Sequence, residues 1–288
     1  MQYLTPSTFS EAASLAASAG GKSRFLAGGT DVLVQMRAGG TTPELLIDLK
    51  HIPGVHDITR TPDGGWNIGV AVPGAVLNEH EALKADWPGV IEAIGLIGST
   101  QVQGRATPVG NLMNASPAAD SVPALIAAGA EVSVLGADGA ARRMPVEAIP
   151  TGPGRTALAA GEVVTALHLP PRGAHGGDAY QRFIPRTEMD IAVVGCGINL
   201  RRDGKVICEA RVALGAVAPT ALLVPEAAET LIGSTADAPA LEALAAAATA
   251  ACTPIDDKRG TAKFRRHVAG VLAHRVALEA YARAGEDR

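Results

Sequence analysis

Short apolar runs alternate with helix-spaced segments along the first fifty-odd residues. SEAASLAASAG (residues 10–20) carries small apolar positions at helical spacing. Thr8 and Glu11 stand at capping-box spacing ahead of it, and Gly20 is placed to end it. Arg24-Phe25-Leu26 predicts a short strand, Gly28-Gly29 a turn, and TDVLVQMRAGG a helix stopped by Gly39-Gly40. ELLIDL (44–49) predicts another strand. With a strand near Tyr3, the opening reads as β-α-β-α-β.

A second pattern runs from about His56 to Leu169. WNIGVAV is strand-like, and Gly69 within it suggests close packing. WPGVIEAIGLIGS has helical spacing, TQVQGRATPVGNLMNASPAAD reads as loop, and SVPALIAAGA reads as a helix with Gly129 near its end. EVSVLGADGA is a strand with an Asp-Gly turn, and GEVVTALHLP closes the unit as a strand. PPRGAHGGD (170–178) marks a boundary or surface loop. Beyond it, two apolar runs flank Asp203-Gly204 as a hairpin, AAETLIG is a short helix, and the last fifty residues are helical.

Composition narrows the function. Of 288 residues, 47% are hydrophobic but only 3% aromatic, so the core is built of Ala, Val, Leu and Ile. The net charge of −4 and the lack of a clustered basic face argue against nucleic acid. Cys196, Cys208 and Cys252 are too scattered for a zinc or iron–sulfur set and fit a reducing compartment. No secretory signal is evident, and ALEALAAAATAA (240–251) is too short for a membrane span. The expectation is a cytoplasmic protein.

Three stretches carry candidate chemistry. Between a strand and a helix, Gly28-Gly29 exposes consecutive backbone N–H groups, and Thr30 adds a hydroxyl. Such a turn either binds an anion, typically a phosphate, or is a tight turn with a cap at Thr30 or Asp31. In GRATPVGNLMNASPAAD (104–120), Thr107, Gly110 and Asn111 are small enough to approach a ligand closely. There Asp120 either caps the next helix or accepts hydrogen bonds from sugar hydroxyls. Two such loops could clamp a dinucleotide from both sides. In AYQRFIPRTEMDIAVVG (179–195), Tyr180, Arg182, Arg186, Glu188 and Asp190 suggest a polar site edge or an ion-pair network. The usual catalytic signatures are missing: no GxSxG, HExxH, Walker loop or GxGxxG after a strand. His267 and His274 share a helix face without a carboxylate or Cys partner and read as surface or packing residues rather than metal ligands.

Together LAGGTDVLVQM, RATPVGNL…SPAAD and AYQRFIPRTEMDIAVVG resemble the FAD-binding medium subunit of molybdenum hydroxylases, the xanthine dehydrogenase and aerobic carbon monoxide dehydrogenase family. LIDLKHIPGV and TPIDDKRGTAKFRRHVAGVLAHRV extend the resemblance over nearly the whole chain. It implies an α+β protein: a two-part FAD-binding domain of the p-cresol methylhydroxylase type (1–55 and 56–172), then a smaller α+β domain (173–288) with an antiparallel sheet and terminal helices. It also implies which residues hold FAD. Ala27, Gly28, Gly29, Thr30 and Asp31 with Thr107, Gly110 and Asn111 would take the pyrophosphate. Arg24, Leu26, Val32 and Ala106 would flank these turns, and Ile97 and Gly98 would line the cofactor. Asp120 falls near the polar part of the flavin nucleotide, and Val164 and Arg182 near the isoalloxazine. No side chain is implied as a catalytic acid or base.

Two [2Fe–2S] clusters and the molybdopterin cofactor would sit on a small and a large partner subunit, in a heterotrimer or a dimer of heterotrimers. The second loop departs from the family's Thr-x-Gly-Gly-Asn. Val109 replaces a glycine suited to positive φ and Pro108 has no N–H, so a different or weaker grip on FAD is expected. Beside this stand a self-contained FAD oxidase or dehydrogenase, and a scaffold with weakened FAD binding.

Overall fold

In a computed structural model, residues 1–187 and 189–285 are described. Glu188, named above as part of a polar cluster, lies outside them. The opening unit follows its pattern. Strands Gln2–Leu4, Leu45–Asp48 and Ser23–Leu26 form a parallel sheet in that spatial order, joined by helices Phe9–Ser18 and Val32–Arg37. Thr8 caps the first helix through the Glu11 N–H (3.1 Å), while Glu11 reaches back to the N–H of Ser7 rather than Thr8 (2.8 Å). Parallel neighbours need crossovers, which the two helices supply.

A five-stranded antiparallel sheet comes next, in the order Ile58–Arg60, Trp66–Gly69, Val163–Leu169, Glu131–Leu135, Ala141–Pro145. Alternation fixes its faces: Trp66, Ile68, Val132 and Val134 are buried, with Asn67 and Ser133 on the other face. Gly69 is a glycine because a Cβ would fall 2.4 Å from the Val55 carbonyl oxygen.

The C-terminal part has strands Gly176–Phe183, Val194–Asp203, Val206–Gly215 and Leu222–Leu223, all antiparallel, covered by helices Ala238–Ala251 and Ala262–Arg283. The expected antiparallel sheet and terminal helices are thus present. PPRGAHGGD is a partial misreading, because its end already belongs to a strand. A Cβ on Gly177 would lie 2.0 Å from the Ala280 carbonyl oxygen, so glycine there lets the last helix press onto the sheet.

Two apolar clusters, one under each part, meet at helix Ser121–Ala128. Every residue of that helix is buried: Ser121 bonds its hydroxyl to Asn111, and the rest of the sequence is apolar. Gly197 faces it so closely that a Cβ would sit 2.9 Å from Ala124 Cα. Gly129 ends the helix in the left-handed conformation (φ +70°). Among the described residues, no helix is long and apolar enough to cross a membrane.

Candidate cofactor-binding cleft

A cleft of about 540 Å³ opens between the parallel sheet and the five-stranded sheet. Its first wall is the glycine turn. Among the described residues, the backbone N–H groups of Gly28, Gly29, Thr30, Asp31 and Val32 find no acceptor within the protein. Consecutive free donors on a cleft wall are a place for an anion, since successive backbone N–H groups in a turn form an anion-binding concavity. Gly29 has φ +83°, a left-handed bend that glycine takes without strain. The reason for Gly28 differs from the expected baring of amides. A Cβ there would lie 2.0 Å from the Arg105 carbonyl oxygen, so Gly28 lets the first and second loops touch. The helix that follows starts at Asp31, which makes no side-chain cap.

The second wall is not the loop the sequence suggested. It contains helices Thr100–Gln103 and Pro108–Met113. Thr107 caps the second of these through the Gly110 N–H (2.9 Å), and its carbonyl accepts the Asn111 N–H (2.9 Å). Pro108 occupies the first turn, where its missing N–H would have had no partner in any case. Val109 is helical and buried, with no positive φ. The departure from the double glycine therefore carries no backbone strain, and the strain argument for a weaker grip fails. Asn111 Oδ1 receives the Ser121 N–H (3.2 Å) and hydroxyl (2.8 Å), tying this wall to the buried helix.

A third wall runs from Gly154 to Val164, and of its residues only Val164 is among the predicted site residues. Gly154 and Gly161 have positive φ, and a Cβ on Gly161 would sit 2.7 Å from the Ala17 Cβ. Val163 and Val164, side by side in sequence, both line the cleft, and a β-bulge at Thr165 follows them. Glu162 accepts hydrogen bonds from Arg142 (2.9 Å) and the Ala159 N–H (2.8 Å), and the Arg142 contact holds its carboxyl below the ordinary value. The signal that could have found this wall is the small-residue run TGPGRTALAAGE, of the same texture as the other two.

Of the predicted site residues, Arg24, Ala27, Gly28, Gly29, Thr30, Asp31, Val32, Ile97, Ala106, Thr107, Gly110, Asn111 and Val164 line this one cleft. Leu26, Gly98, Asp120 and Arg182 do not. Leu26 lies beneath the turn, where a Cβ on Gly29 would meet its Cδ1 at 2.9 Å. Gly98 turns the chain after Ile97 with φ +61°. Asp120 does not cap its helix. Its Oδ2 accepts from Arg182 Nη1 (2.7 Å), which also donates to the Leu96 carbonyl (2.8 Å). The buried Tyr180 hydroxyl interacts with the Asp120 carboxylate, although neither it nor Asp120 Oδ1 makes a hydrogen bond of ordinary geometry among the described residues. Burial pushes the Asp120 carboxyl up to about 6 despite the arginine.

Residues 1–172 match the family model described as the FAD binding domain in molybdopterin dehydrogenase. Residues 179–280 match the carbon monoxide dehydrogenase flavoprotein C-terminal domain. A xanthine dehydrogenase FAD-binding subunit of Escherichia coli O157:H7 is 30% identical over 92% of this chain and 90% of the relative. The carbon monoxide dehydrogenase medium chain of Hydrogenophaga pseudoflava is 32% identical over 98% of this chain and 97% of its own length. A solved carbon monoxide dehydrogenase from that organism, lacking the Mo-pyranopterin moiety of the molybdenum cofactor, superposes with TM-score 0.94 at 32% identity, covering 98% of each chain.

Proposed function

We infer, from the fact that the chain belongs to the FAD-binding family of molybdopterin dehydrogenases, that it is the flavin-carrying, electron-transferring subunit of a molybdenum hydroxylase. When bound, FAD supplies the redox chemistry, taking in electrons and passing them to an external acceptor. The chain's own residues bind and orient. The observation that carries this reading is the row of unpaired amides from Gly28 to Val32 on the cleft wall. They suit the FAD diphosphate, which needs donors but no lysine. The second wall closes against them through the Gly28–Arg105 contact, and Val163 and Val164 supply apolar surface for a ring system. Asp120 and Arg182 act from behind: the arginine holds the Leu96 carbonyl and so fixes Ile97, which lines the cleft.

The electrons would come from [2Fe–2S] clusters on a small partner subunit, and substrate oxidation would take place at molybdopterin on a large one. The relatives' status as a medium chain and an FAD-binding subunit supports such an assembly. A heterotrimer, alone or paired, in the cytoplasm is the arrangement we favour. We divide the chain at 1–55, 56–172 and 173–288. The native complex, isolated intact, should contain one FAD per copy of this chain together with iron, sulfide and molybdenum. Recovery of the chain without flavin or partner subunits from cells making the active complex would overturn the assignment.

A further inference from the structure

The helix that extends the free-amide turn, Val32–Arg37, has little to hold it. It is six residues long, and none of them is buried. Leu33 and Val34 are exposed. A helix this short does not sustain itself in water, since the cost of nucleation is spread over too few hydrogen bonds. Among the described residues, its side chains make one hydrogen bond to the rest of the protein: Gln35 Nε2 donates to Asn114 Oδ1 at 2.8 Å. Both residues line the cleft.

Asn114 is well seated. Its N–H bonds the Gly110 carbonyl (3.0 Å), ending the second-wall helix. Ala115, next in the chain, has φ +49°, and its carbonyl accepts the Gly154 N–H of the third wall (3.0 Å). The second and third walls are therefore joined at residues 114–115, and Gln35 attaches the first wall to the same corner. We propose that the Gln35–Asn114 hydrogen bond is the tether that holds the Gly28–Val32 amides in place for the cofactor diphosphate, and that both are positioning residues for FAD. This rests on the reading of the cleft as the FAD site.

The test uses the full-length chain with Gln35→Met, which keeps length but removes the donor, Asn114→Ala, and the double variant. FAD affinity and release rate are followed by the fluorescence of freed flavin. Hydrogen exchange of amides 33–38 is measured in flavin-free protein. Each single variant should weaken FAD binding about three- to tenfold, the range of one neutral hydrogen bond, mainly through faster release. Each should also speed exchange in the helix. The double variant should be no worse than the poorer single one, because the two share one interaction. Wild-type release and exchange rates in the single variants, or effects that multiply in the double, would overturn the tether. If the wild-type chain binds no FAD at all, the cofactor assignment fails, and the exchange measurement still decides whether the bond orders the helix.

Discussion

The cleft and the seam beneath the C-terminal sheet use polar groups in opposite ways. In the cleft, the amides of Gly28 to Val32 point at no acceptor, and the helix behind them buries nothing. In the seam, charges are matched inside the protein. Asp178 takes the Val90 N–H (3.0 Å) and Arg172 (3.1 Å), and Arg283 reaches Glu92 (3.1 Å) and the Asp178 carbonyl (2.9 Å). None of the five residues carrying these amides is buried, so the donors stay open to the cleft, where an anion can take them. Matched charges mark a wall that is already complete. Asp120 belongs to the matched side, with its carboxylate on Arg182 and beside the buried Tyr180 hydroxyl.

The largest expected effect comes from forcing the cleft walls apart. In Gly28→Ala the added Cβ would lie 2.0 Å from the Arg105 carbonyl oxygen, and neither partner is a flexible side chain. The first turn or the second loop must move, and the diphosphate site moves with it. FAD affinity should fall by at least about a thousandfold, roughly 4 kcal/mol. The seam, whose residues take no part in this contact, should keep its folding cooperativity. Titrating the variant with FAD by fluorescence quenching checks this, and near-normal affinity would show that the two loops are not required to touch.

How much of this was legible beforehand depended on how far apart the deciding residues lie. The parallel unit was readable because Thr8, Gly20 and the run LLID are local signals with local consequences. The free-amide turn was readable for the same reason, although the need for Gly28 was not, since it depends on Arg105. Helix Pro108–Met113 was missed because its cap, Thr107, and its Gly110 were read as ligand contacts when they bond each other. Strand Gly176–Phe183 was missed because paired glycines look like a break until the last helix is seen against Gly177. The Asp120–Arg182 pair spans 62 positions, and no local pattern foretells it.

A smaller effect would sharpen the contrast at Asp120. Its carboxyl is raised by burial from 3.8 to about 6 in the folded chain. Between those values the folded state holds a proton that the unfolded state has released, so this group's contribution to stability falls as pH rises from about 4 to about 6. At 1.36 kcal/mol per pH unit the loss is at most about 3 kcal/mol. Asp178, raised to about 6 by the same cause, contributes in the same direction. Urea unfolding of flavin-free wild type and Asp120→Asn at pH 4 and pH 7 isolates the Asp120 share. The stability difference, wild type minus variant, should shrink or change sign toward pH 7. A difference independent of pH would mean that Asp120 is solvated from the cleft rather than sealed in the seam.

The smallest effect tests whether the second wall is scaffold or ligand contact. The Thr107 hydroxyl accepts the Gly110 N–H at 2.9 Å, so it is already used within the protein. Thr107→Ala removes a helix cap, which costs about 1 kcal/mol and lowers the melting temperature by about 2–4 °C in a chain of this size. The variant also frees the amide of Gly110, a residue that lines the cleft, and so makes one more donor available there. Stability should therefore drop while FAD affinity stays within about threefold, a change of less than 1 kcal/mol. Calorimetry and flavin titration on the same preparation separate the two. A loss of affinity larger than the loss of stability would move Thr107 from the frame of the cleft to its ligand-binding surface, with the second loop sharing the grip of the first turn.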